Sequence, residues 1–137
     1  MNGTPFAADF AGRRCLRLLA REAWWQGWRE SAAVALLLET DDGCWHEFRL
    51  EAATRRWCHE VLAEAPAGRV RGDDAEERHP LHDVGAEFGT DGKRLLRIAS
   101  STRGDLAELV IEFDDGAALL AHHRAPGGSS LTYTLPH

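Results

Sequence analysis

His79-Pro-Leu-His82-Asp83 gathers two imidazoles and a carboxylate in one short run, and such groups can hold a divalent ion or act as a general base. The spacing serves neither role well. Pro80 between the two histidines prevents the helix on which a zincin-type His pair depends. His122-His123 offers further imidazoles, but adjacent strand residues face opposite sides, so only one of them can join a given site. The first reading is surface histidines on a loop. His79, His82 and Asp83 stand as the alternative centre for a metal, a small ligand or an enzymatic reaction.

Nucleophilic chemistry finds less support. Cys44 and His46 share one face of an expected strand, as do Trp57 and His59, while Cys58 points the other way. A reactive thiolate wants an electropositive setting, and Cys44 follows the acidic turn Asp41-Asp42-Gly43 directly. The cysteines therefore read as small hydrophobes. Asp41-Asp42-Gly43 and Asp114-Asp115-Gly116 lack the alternating carboxylates of a calcium loop and read as turns. Ser100-Ser101-Thr102 and Ser129-Ser130 lack the strand-to-helix elbow that exposes a serine nucleophile, and Arg103-Gly104-Asp105 is a good turn. No catalytic residue, cofactor or metal is assigned.

Trp24, Trp25 and Trp28 cluster between Arg21 and Arg29. Their first reading is a cap on an open end of the core, because tryptophan buries a large area wherever the fold allows. Their functional reading is a hairpin tip that anchors a partner, since Trp and Arg are over-represented at interface hot spots. The acidic run Asp73, Asp74, Glu76 and Glu77 is the second candidate binding feature.

The elements that must position these groups show in two near-copies. Gly12-Arg-Arg-Cys-Leu-Arg-Leu18 resembles Gly92-Lys-Arg-Leu-Leu-Arg-Ile98, and Leu36-Leu-Leu-Glu-Thr-Asp-Asp-Gly43 resembles Leu109-Val-Ile-Glu-Phe-Asp-Asp-Gly116. The order is kept, which suggests one β unit used twice, about residues 10–62 and 86–136, around one core. Strands are expected near 13–20, 33–39, 44–50, 84–89, 94–101, 106–113, 117–124 and 130–135. In the sixth of these, Leu109, Ile111 and Phe113 alternate with Glu108, Val110 and Glu112, giving a core face and a wet face. Thr4-Pro5 is expected to start a short N-terminal helix reaching Phe10. Residues 63–83, rich in Pro, Gly and charge, are expected to form a surface loop. The result is a single β-rich α+β domain of antiparallel meanders.

With 137 residues the chain can bury one sizeable core. Sixteen basic against 22 acidic residues leave a net charge of −6, which opposes nucleic acid. No apolar run approaches the ~20 residues of a membrane helix. Three widely spaced cysteines and an N-terminus without a basic-then-apolar leader point to the cytoplasm. The C-terminal strands around Phe113-Asp-Asp-Gly116 resemble many small bacterial β proteins, some of them antitoxin or immunity proteins, and no functional residue carries over from that resemblance. The expected function is a non-enzymatic protein-binding module that neutralises a basic toxin enzyme. A ligand or metal site near His79 and His82, or a structural subunit pairing into a homodimer, are the alternatives; monomer and homodimer both stay open.

Overall fold

The computed structural model describes residues 4–6, 9–51, 53–67, 69–71, 77–124 and 127–136. Among the described residues, twelve strands and one short helix follow in the order β1 (Thr4–Pro5), β2 (Cys15–Trp25), β3 (Trp28–Thr40), β4 (Trp45–Glu51), β5 (Arg56–Leu62), β6 (Arg69–Arg71), β7 (Glu77–His79), β8 (Leu81–Asp83), α1 (Val84–Phe88), β9 (Leu95–Arg103), β10 (Leu106–Phe113), β11 (Ala118–Arg124) and β12 (Ser129–Thr134). They make a five-stranded sheet, β1-β9-β10-β11-β12, and a seven-stranded sheet, β5-β4-β3-β2-β7-β6 with β8 also on β2. Every strand pair is antiparallel. The protein is mostly β, as its alternation and turn chemistry require.

One apolar cluster joins both sheets. Leu18, Leu36, Leu38, Phe48 and Trp57 come from the larger sheet and Ile98, Leu109, Ile111, Phe113 and Leu119 from the smaller. In β10 the burial alternates as its sequence demands, with Leu109, Ile111 and Phe113 shut away from solvent. The opposite face of the larger sheet carries a second, smaller cluster of Leu19, Leu37 and Trp45, flanked by Leu62 and Leu81. That is why β3 reads as a nearly continuous apolar run around Ala35–Leu38: both of its faces are covered there.

The two glycine-basic signatures meet where the sheets join. Cys15 N–H donates to the Lys93 carbonyl (2.8 Å) and Leu95 N–H to that of Arg13 (2.7 Å). Arg14 Nη1 donates to the Gly92 carbonyl and Arg94 Nη1 to that of Gly12, both at 3.0 Å. The acidic turns are built alike, with Asp42 Oδ1 accepting from Cys44 N–H (3.2 Å) and Asp115 Oδ1 from Ala117 N–H (2.9 Å).

Three expectations are corrected. Thr4-Pro5 starts no helix; it pairs with Ser100 and Ala99 at the edge of β9, a place where a proline's missing N–H costs no ladder bond. Residues 84–89 hold not a strand but the single helical turn α1, capped by the Asp83 carboxylate on Ala86 N–H (3.0 Å) and closed by Gly89 in the left-handed region. The expected surface loop 63–83 contains three strands. The long outer edge of β2 would otherwise leave a row of N–H and C=O groups unpaired, and β7 and β8 fill it: Arg78 pairs with Trp24 and His82 with Ala20. Polar composition hid them, because their described side chains are half-buried or exposed and none is fully buried in the core.

Candidate functional site

The β2–β3 hairpin turns on two residues, Gln26 (φ 48°) and Gly27 (φ 82°), both with positive φ, as a tight turn matched to strand twist needs. Trp25 and Trp28 face each other across that turn. They do not cap the core: Trp28 is 79% exposed and Trp25 43%, whereas Trp57, which does fill the core, is 4% exposed. Trp24 is half-buried, with the Arg78 guanidinium 5.2 Å from its ring centre. The hairpin therefore ends in two exposed indoles paired across its turn, Trp25 and Trp28, with Trp24 held beside them on β2.

Trp24 is pinned from below by Glu22. Its indole Nε1–H donates to Glu22 Oε1 (2.9 Å), and Arg29 Nη1 donates to Glu22 Oε2 (3.2 Å). Glu22 is only 8% exposed, so these bonds are what make a buried carboxylate tolerable. His82 on β8 stands beside it, Nδ1 3.6 Å from Glu22 Oε2 and Nε2 2.5 Å from Glu87 Oε1 on α1. Together with Glu30, Ser31, Ala32, Phe88 and Ser129–Leu131, these residues line a cleft of about 290 Å³ at the hairpin's base. Ser31 Oγ accepts from Ser129 N–H (3.0 Å) and ties β12 to β3 along its rim.

Of the His79, His82 and Asp83 group, only His82 reaches the cleft. Asp83 is occupied as the cap of α1, and His79 lies on β7 with its carbonyl accepting from Arg21 (3.3 Å). Glu22 and Glu87 approach opposite nitrogens of one ring, so no single ion could touch all three groups. Among the described residues no three His, Cys, Asp or Glu side chains are placed to hold a metal. Asp73, Asp74 and Glu76 lie outside the described residues. The strands beside that run are described: Arg71 pairs with Glu77, and Glu77 with Trp25.

A second cluster was visible only as separate residues. His59 and His46 stack on neighbouring strands, with His59 Nε2 2.9 Å from His46 Nδ1. Thr40 lends its single proton to Asp42 Oδ1 (2.6 Å), which can only accept, so His46 Nε2 donates to Thr40 Oγ1 (3.3 Å). His46 Nδ1 is then the acceptor and His59 Nε2–H the donor, giving a one-way chain of hydrogen bonds that ends on a carboxylate. Phe6, Phe10 and Phe48 wall it in. Burial pushes both histidines below their ordinary value of 6.5, and the Thr40 hydroxyl holds Asp42 below the usual carboxylate range.

The three cysteines are free. Cys15 is fully buried, which pushes its thiol up to about 12 and leaves it inert as a nucleophile. No helix among the described residues is long and apolar enough to cross a membrane. No known protein family, curated protein or solved structure matches the chain. Geometry alone must carry the functional argument.

Glu22 and Glu87 were missed by sequence reasoning, and Ser129 was weighed only as a nucleophile. One signal for Glu22 was present: it continues the Leu18, Ala20 phase of β2, so it is a carboxylate at a core-facing position. Glu87 had none, because it meets His82 only through a turn of helix that the sequence marks by little more than Asp83 and Gly89.

Proposed function

We propose that the protein is a non-enzymatic, cytoplasmic binding module whose partner is another protein, a basic enzyme of the toxin class that it neutralises. The observation that carries this reading is the pair of exposed indoles, Trp25 and Trp28, side by side at a hairpin tip. Lone exposed hydrophobics are ordinary, but two adjacent tryptophans left in water are a cost that binding would remove. A net charge of −6 favours a basic partner and speeds its approach. The acidic residues Asp73, Asp74, Glu76 and Glu77 add to the negative charge that favours such a partner.

The tagged protein tests this in lysate of its own source organism. A basic protein retained at low salt and shed at high salt is the expected result; no retained protein would argue against the reading. A second reading, a small-ligand or enzymatic site, draws on His82 bracketed by two carboxylates in the cleft. An activity or ligand lost on His82→Ala with the tip intact would favour it instead.

We also infer that the two signatures descend from one β unit used twice, on the support of their reciprocal hydrogen bonds. Exchanging residues 12–18 with 92–98 should leave the fold and Tm close to wild type. An unfolded exchange variant would count against it.

A further inference from the structure

We propose that the cleft at the base of the β2–β3 hairpin receives a cationic side chain, arginine or lysine, of the partner that the tryptophan tip engages. The inference rests on the protein-binding reading above and adds where the partner's charge goes. Glu22, Glu30 and Glu87 bring three carboxylates to the lining against the single guanidinium of Arg29, so the lining is acidic on balance. An anion would meet net repulsion there. A metal ion is disfavoured by geometry, since the two carboxylates contact opposite nitrogens of His82.

What distinguishes the cleft from a mere patch of acidic surface is its apolar lining. Phe88, Leu131 and Ala32 line it together with the polar groups, and the Phe88 ring is held by stacking on Tyr133, centroids 5.1 Å apart. A charged end and an apolar wall match a side chain that carries its charge on a hydrocarbon stem. About 290 Å³ is at the lower limit of the ~300–1,000 Å³ typical of small-molecule pockets, which suits one side chain better than a larger ligand. Glu22 is fixed before any guest arrives, because the Trp24 indole N–H and Arg29 hold its two oxygens. A pre-set, partly desolvated carboxylate binds a cation more strongly than a mobile one in water. Glu22, which lines the cleft, and Trp25 of the tip lie on the same strand, β2.

The test is a titration of the whole protein with N-acetyl-arginine amide, followed by NMR at the Trp24 indole N–H, with the norleucine and glutamate analogues as controls. Millimolar, saturable shifts with the arginine compound and none with either control are expected. Glu22→Gln should weaken binding about fivefold, the effect of losing one charge-assisted contact of ~1 kcal/mol. Glu87→Gln, at an exposed position on α1, should weaken it in the same direction. Equal shifts with norleucine, no saturable shift with arginine, or unchanged affinity in both variants would overturn the proposal. If arginine fails while partner retention still depends on Trp25 and Trp28, the cleft is removed and the tip stands. If arginine binds while retention ignores the tip, the reverse holds.

Discussion

Burial disfavours the charged form of His46 and His59, because protonating either would place a charge among Phe6, Phe10 and Phe48, and protonating His46 would also remove the Nδ1 acceptor that His59 uses. Burial also holds His123 below 6.5. A histidine depressed in the folded state binds its proton more readily when unfolded, so stability is complete above about 6.5 and is lost as pH falls toward the folded values. Thermal melts from pH 7.5 to 5 should show Tm falling by several degrees, with a shallower fall in His59→Phe. A flat profile would contradict the neutral pair. The tryptophans divide in the same way by environment. Trp57→Ala should cost about 3–5 kcal/mol, while Trp28→Ala should stay within about 0.5 kcal/mol, both measured by urea unfolding. A large loss at Trp28 would mean that its ring supports the fold rather than a partner.

At the scale of elements, the cleft depends on how closely β12 approaches β3. A Cβ on Gly128 would lie 1.8 Å from the Glu30 carbonyl oxygen, whereas one on Gly127 meets only the Arg124 carbonyl at 3.3 Å. Gly128→Ala should therefore cost about 1–3 kcal/mol and loosen the Ser129–Ser31 bond, with Gly127→Ala clearly milder. Equal effects would contradict the close approach. The strands of this fold were legible wherever one face is wet: Leu109, Ile111 and Phe113 announce β10, and Asp41-Asp42-Gly43 and Asp114-Asp115-Gly116 announce hairpin turns. Legibility failed where tertiary contact decides. Glu77–His79 and Leu81–Asp83 are strands only because β2 offers an open edge, and Val84–Phe88 is helical for one turn only because Asp83 and Gly89 cap it. The site suffered the same limit. His82 was singled out, but its partners Glu22 and Glu87 come from β2 and α1, and their meeting depends on a pairing register that local pattern cannot reveal. His46 and His59 likewise required the β4–β5 register to become a pair.

For the molecule as a whole, two sheets around one core leave two paired indoles of the β2–β3 hairpin in water, on the strands that also line an acidic cleft. On the proposed reading, a net charge of −6 steers a basic partner toward the protein and the indoles add apolar contact once it has arrived. The two contributions separate experimentally: added salt should weaken retention, while loss of the tip should weaken it at the low ionic strength where the partner is held. The most direct measurement compares wild type with Trp25→Ala/Trp28→Ala, matched for Tm, for capture of a basic protein from lysate of the source organism. The account predicts one basic protein on the wild type and at least about tenfold less on the variant, the equivalent of ~1.4 kcal/mol. Equal capture by both proteins would contradict it.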